Sequence, residues 1–181
     1  MTAQRQHADS GAGAGDYFEL FELPARFDID IALLRRRFLE LSRQCHPDAV
    51  AMEDAAAQAA ALATSARVNE AYETLCDPVR RAEYVLRRAG GKSAAEDKRV
   101  PPELLNQTLM LREEIEEAKS AGDQAALTAI RKSVLQQKGD IEGRITELAR
   151  RLAGQADDSV RDELRLQLNA MKYVGNLLAQ L

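Results

Sequence analysis

The stretch "LLRRRFLELSRQCHPDAV", Leu33 to Val50, contains the features on which the predicted fold depends. Its apolar residues recur at steps of four, three and four, at Leu34, Phe38, Leu41 and Cys45. This spacing places one apolar stripe on a helix, facing a core. Pro47 ends the helix, because proline has no N–H to donate and disfavours helical geometry at the preceding residue. The stretch therefore predicts an amphipathic helix that leads directly into a His-Pro-Asp loop.

The composition indicates an all-α protein without an obvious affinity for nucleic acid. The 181 residues suffice for one large or two small domains, and tryptophan is absent. The formal charge of −4 means that the arginines beside the loop need a particular partner rather than a general polyanion. The two cysteines, Cys45 and Cys76, have no CxxC spacing and indicate neither a disulfide framework nor a zinc site, which fits a reducing compartment.

The first 15 residues, "MTAQRQHADSGAGAG", lack the apolar segment of a secretory signal, and we expect a disordered leader there. No apolar run in the chain approaches the roughly 20 residues that a membrane-spanning helix requires. Charged residues are spread through every predicted helix. We therefore expect a soluble, cytoplasmic protein without a membrane partner.

Four helices are predicted in the first half of the chain. A short helix begins near Asp16 in "DYFELFELP", and two longer ones follow over about 30–45 and 54–75. The fourth begins with Asp77 as N-cap and Pro78 in its first turn, and ends at Gly90 and Gly91. The second and third would form an antiparallel hairpin with the His-Pro-Asp loop at its turn. The polar, proline-terminated stretch 92–102 predicts a domain boundary.

The second half predicts three amphipathic helices, over about 103–121, over about 124–153 and, after "GQADDS", from about 160 to the last residue. Gly122 and Asp123 supply the turn and cap between the first two. Short connections between such helices favour an antiparallel three-helix bundle. The core stripe of the first bundle helix comprises Leu104, Thr108, Leu111, Ile115 and Ala118.

The order of elements in the first half resembles a J domain, with an aromatic opening helix, a basic helix, His-Pro-Asp, and then "NEAYETL" and "DPVRRAEY". Together, "DYFELFELPARFDID", "RFLELSRQCHPD", "VNEAYETLCDPVRRAEYVL" and "LREEIEEAK" resemble the HscB family of J-type co-chaperones in iron–sulfur cluster assembly. The resemblance implies a J domain over residues 16–91, a linker over 92–102 and a scaffold-binding three-helix bundle over 103–181, in a bacterial cytoplasmic protein.

The resemblance implies a protein without catalysis or a cofactor of its own, which docks on an ATP-loaded chaperone of the DnaK type, HscA-like in this family. Basic residues of the second helix would meet an acidic surface, an attraction that salt screens, while the tripeptide biases the chaperone toward ATP hydrolysis. The chaperone-binding residues predicted in this way are Arg36, Arg37, Arg43, His46, Pro47 and Asp48.

The bundle carries apolar residues that its core stripes do not use. Leu105 and Leu109, with Met110 nearby, fall outside the stripe of the first bundle helix, and the last helix has a second stripe at Leu166, Ala170, Tyr173 and Leu177. In the HscB family, apolar positions on these two helices bind an IscU-like iron–sulfur scaffold protein. The scaffold-binding residues predicted from this resemblance are Leu105, Leu109, Glu113, Glu117 and Tyr173. Packing against the J domain is the alternative role for the extra stripe.

Other readings of the same residues stay open at this stage. The chain could be a J-domain co-chaperone for another client, or a helical adaptor that binds nucleic acid through its arginines, although it lacks interleaved aromatic residues. The arginines could also form a merely solvated helix face beside a turn histidine. Cys45 next to His46 has no further metal ligands nearby, and no third group supports Cys–His catalysis. The glutamates near residue 115 resemble a solvated face rather than an acid–base site.

Overall fold

The computed structural model describes residues 15–45, 54–152 and 157–181, and these residues form seven helices and no strand. The helices are α1 (Tyr17–Leu20), α2 (Ile31–Gln44), α3 (Ala55–Cys76), α4 (Pro78–Arg88), α5 (Pro102–Ala121), α6 (Gln124–Leu152) and α7 (Asp158–Leu178). The predicted all-α class is confirmed. Among the described helices, none is both long and apolar enough to cross a bilayer.

The chain divides into two compact units. The first contains the described residues of 15–25 and 31–72, and the second contains 26–30 and the described residues of 73–181. The second unit therefore includes α4 as well as the three C-terminal helices. The limits proposed above for the J domain and the linker stay predictions.

Aromatic side chains hold the first unit together. Phe18 and Phe21 of the opening segment are fully buried, as the aromatic pattern predicts. The N–H of Phe18 donates to the Asp16 carboxylate at 2.9 Å, which caps α1. In the hairpin, the ring of Phe38 on α2 stacks on Tyr72 of α3 with ring centroids 4.1 Å apart. Leu34 is the buried residue of α2, whereas the other members of its predicted stripe are half-buried.

The predicted caps of the second unit are observed. The Asp77 carboxylate accepts hydrogen bonds from the N–H groups of Val79 and Arg80, each at 2.8 Å, and Pro78 occupies the first turn of α4. Gly90 and Gly122, after α4 and α5, have φ angles of +77° and +66°, which glycine adopts without steric cost. In α5 the expected core residues Leu104, Thr108, Ile115 and Ala118 are buried, and Leu111 is half-buried.

The stretch 92–102, predicted as a linker, is hydrogen-bonded to α7. The side-chain amide of Asn169 donates to the backbone carbonyls of Asp97 and Arg99 at 2.9 and 2.8 Å. Val100 and the Asp97 carboxylate are buried. Hydrogen bonds from Arg99 hold the pKa of that carboxyl well below its usual range. The buried Asn169 amide thus fixes the path of this stretch by binding two of its backbone carbonyls, since buried polar groups need hydrogen-bond partners.

A buried arginine connects the first and last helices of the second unit. Arg165 of α7 is fully buried, and its guanidinium donates to the Glu83 carboxylate of α4 at 2.5 Å. The Nε and Nη2 groups of this guanidinium have no hydrogen-bond partner among the described residues. Glu83 therefore supplies the closest compensation for a positive charge that has been removed from water.

We expect Glu83→Ala to lower the free energy of unfolding by about 2–3 kcal/mol, because it leaves the buried guanidinium of Arg165 without its counter-charge. The double substitution Glu83→Ala/Arg165→Met removes the charge as well and should be less destabilised than the single. Urea unfolding of the full chain measures both. Glu73→Ala is the matched control, because Glu73 pairs with Arg80 in an exposed ion pair and its loss should cost almost nothing. Equal or greater destabilisation in the double variant would contradict the argument.

Candidate docking surfaces

The first candidate surface is the basic face of α2. Arg36 and Arg43 are exposed, and neither forms an ion pair with another described residue. Arg37 differs, because it is half-buried and its guanidinium binds the Glu22 carboxylate. Two of the three predicted arginines thus expose their cationic groups to solvent. The third is already engaged within the first unit.

The tripeptide that should act together with these arginines follows α2 directly. The helix ends at Gln44, and Cys45 is the last residue described before the gap. His46, Pro47 and Asp48 lie outside the described residues, so their placement at the hairpin turn stays a prediction.

The second candidate surface is the exposed face of α5. Leu105 and Leu109 lie four residues apart and are exposed, Leu109 to 60%. Glu113 and Glu117 continue the same line at steps of four and are also exposed, so apolar and acidic side chains share one face. Met110, which the prediction noted without including it in the site, is 62% exposed beside Leu109.

The second stripe of α7 belongs largely to the interior. Ala170 and Leu177 are buried, and Leu166 and Tyr173 are half-buried. Helix α7 packs beside α5 in the second unit, and Tyr173 is the partly accessible aromatic residue of the stripe. Ala170 and Leu177 are thus interior residues, and packing of this stripe against the J domain stays a prediction.

The described part of the chain contains no group of three or more His, Cys, Asp or Glu side chains that could hold a metal ion. The two cysteines are free thiols, both half-buried. The two candidate surfaces, on α2 and on α5, each consist of exposed charged and apolar side chains. The polar residues that apolar spacing did not indicate, Arg165, Gln167 and Asn169, are buried in α7 and have a structural role.

Comparisons with known proteins agree with this organisation. The family model for the DnaJ domain matches residues 16–84, and that of the HSCB C-terminal oligomerisation domain matches residues 100–181. The structure of the chaperone HscB from Vibrio cholerae is similar with a TM-score of 0.72 and 32% identity, over 91% of this chain and 93% of that one. The human co-chaperone protein HscB shares the fold, with a TM-score of 0.75 and 23% identity over 93% and 80% of the two chains.

A DnaJ domain followed by a helical C-terminal domain defines a J-domain co-chaperone. The chain belongs to the HscB family, and its role is that of a co-chaperone in iron–sulfur cluster assembly. HscB co-chaperones are not enzymes in themselves. The resemblance stated from the sequence motifs is confirmed.

Proposed function

We propose that this protein binds an iron–sulfur scaffold protein, IscU-like in character, and brings it to an HscA-like chaperone of the DnaK type whose ATPase it stimulates. The observation that supports the proposal is the presence of two exposed surfaces of different chemistry. The face of α2 presents the exposed arginines Arg36 and Arg43, and the face of α5 presents Leu105 and Leu109 beside carboxylates.

The arginine face suits a partner that carries a cluster of acidic side chains. Exposed charges such as Arg36 and Arg43 raise the rate of encounter with an oppositely charged surface and contribute less to the lifetime of the complex. His46 and Asp48 follow immediately in the sequence and would make the polar contacts that favour hydrolysis of the chaperone's ATP. Pro47 restricts the backbone between them, so less conformational entropy is lost when the loop binds.

The α5 face suits a partner with an apolar patch bordered by basic groups. Leu105 and Leu109 supply apolar area that water covers in the isolated protein, and Glu113 and Glu117 add charge at its border. Exposed apolar side chains of this kind mark interaction sites when they are grouped rather than scattered. We place the scaffold here, with Tyr173 of the neighbouring α7 as an aromatic contact, and we place the whole protein in the bacterial cytoplasm.

We expect His46→Gln to abolish stimulation of the partner chaperone's ATPase and to leave scaffold binding unchanged, because the two contacts use different residues. Steady-state ATP hydrolysis by a DnaK-type chaperone and a titration with the scaffold measure the two activities. Circular dichroism checks that the helical content is unchanged. Normal stimulation by the substituted protein would exclude the loop from the mechanism.

Charge reversal at Arg36 and Arg43 should weaken chaperone binding mainly through slower association, and the wild-type association rate should fall as salt is raised from low to moderate concentration. The matched control is Arg131→Glu/Lys132→Glu on α6, which changes the net charge equally at another exposed site. If both double variants slow association by the same factor, the effect comes from net charge and not from the α2 face.

Single alanine replacements of Leu105, Leu109 and Tyr173 should each weaken scaffold binding by roughly 1–2 kcal/mol, as interface contacts do. The two leucine variants should unfold at nearly the wild-type urea concentration, since exposed side chains leave no cavity. Ile115→Ala is the core control, and truncation of this fully buried side chain should cost about 2–5 kcal/mol of stability. Loss of stability at Leu109 comparable to that at Ile115, with normal binding by the folded fraction, would place the scaffold site elsewhere.

A further inference from the structure

The exposed side of α2 carries a ridge in which apolar and cationic side chains alternate. The ridge, at steps of four residues, comprises Ile31, Arg35, Leu39 and Arg43, all of them exposed. Residues four apart on a helix are neighbours on its surface, so Leu39 lies between Arg35 and Arg43. Ile31 is 41% exposed and Leu39 46% exposed. Leu39 and Arg43 lie far around the helix from the buried Leu34, whereas Ile31 is a neighbour of Leu34, three residues before it.

We propose that Leu39 is an apolar contact at the centre of the surface through which α2 binds the chaperone, and that it determines the stability of that complex. The inference rests on the proposed function and adds a requirement for the shape and polarity of the chaperone surface. The chaperone surface must offer an apolar depression flanked by carboxylates, rather than a uniformly acidic patch. Among chaperones that share an acidic surface, Leu39 would favour those that also have this apolar depression.

Charged and apolar groups make different contributions to an interface: charges mainly affect the rate of association, and buried apolar groups mainly affect affinity. Exposed arginines such as Arg35 and Arg43 accelerate encounter but are screened by salt, and exposed ion pairs contribute little affinity. A central apolar side chain enclosed by polar neighbours loses its hydration on binding, and such positions contribute most to affinity. Differences in affinity between related complexes arise mostly in the dissociation rate, which the apolar contact would control.

Exposed leucines are ordinary on protein surfaces, and Leu62 on α3 provides the comparison. Leu62 is 58% exposed and belongs to the same compact unit as Leu39. None of the residues three or four positions away from Leu62 is charged, these being Gln58, Ala59, Ser65 and Ala66. Leu39 differs because arginines lie on both sides of it along the helix. The pair therefore separates the effect of an exposed leucine from the effect of its position.

The experiment compares Leu39→Ala, Leu39→Met and Leu62→Ala in stimulation of the ATPase of a DnaK-type chaperone. We expect Leu39→Ala to raise the concentration for half-maximal stimulation by about fivefold or more, with the maximal rate unchanged because the His-Pro-Asp loop is intact. The loss should appear in the dissociation rate and persist at moderate salt. Leu39→Met and Leu62→Ala should resemble the wild type. Urea unfolding checks that all three variants fold, as substitutions at exposed sites should allow.

The outcomes distinguish this inference from the function on which it rests. If Leu39→Ala stimulates like the wild type while charge reversal at Arg36 and Arg43 still impairs binding, the apolar contact is refuted and the proposed function stands. Equal losses in Leu39→Ala and Leu62→Ala would also refute it, because position would then have no influence. If the wild-type protein does not stimulate the chaperone at all, the proposed function fails and the inference with it.

Discussion

The burial of the Arg165 guanidinium is the constraint on which the second unit depends. A fully buried positive charge must be compensated, and Glu83 of α4 provides the carboxylate at 2.5 Å. This ion pair links α7 to α4 through two residues that are 82 positions apart in the sequence. On the same helix, Asn169 binds the carbonyls of the stretch that follows α4. Helix α7 thus organises the unit through polar as well as apolar contacts.

Because the Arg165–Glu83 ion pair joins α4 to α7, the limits of the family matches differ from the limits of the packing units. The DnaJ match extends to residue 84 and so includes the first half of α4. The packing places α4 with α6 and α7, in the unit that contains the C-terminal domain match. The residues of the DnaJ match and those of the second packing unit therefore overlap in α4. The stretch 92–102, which follows α4, is also held by α7, because Asn169 of that helix donates hydrogen bonds to the carbonyls of Asp97 and Arg99.

Sequence patterns predicted the parts of the structure that depend on local rules. The helix beginning at Pro78 and the left-handed glycines Gly90 and Gly122 follow from capping chemistry, and the buried residues of α5 follow from apolar spacing. The exposure of Leu105 and Leu109 was also predictable, since both fall outside the core stripe of α5. These features require only neighbours along one helix.

What the sequence did not indicate depends on partners that are distant along the chain. A charged residue such as Arg165 is expected at the surface, and only a carboxylate brought close by folding makes its burial tolerable. Likewise, Arg37 appears equivalent to Arg36 in sequence, but it pairs with Glu22, which lies 15 residues earlier. The burial of Ala170 and Leu177 depends on how α7 is enclosed, which periodicity within one helix does not determine. The chaperone-binding residues could be predicted only from the resemblance to J domains, because the spacing of apolar residues does not reveal the role of a His-Pro-Asp segment.

We propose that one chain uses the face of α2 and the face of α5 to bring a chaperone and a scaffold together. The most direct measurement is single-turnover ATP hydrolysis by a DnaK-type chaperone, with this protein alone, with an iron–sulfur scaffold alone and with both. We expect the two together to accelerate hydrolysis beyond the product of their separate effects. We also expect Leu109→Ala to keep the stimulation by the co-chaperone alone but to lose the additional acceleration. No additional acceleration with the wild-type protein, or its full retention in Leu109→Ala, would contradict the account.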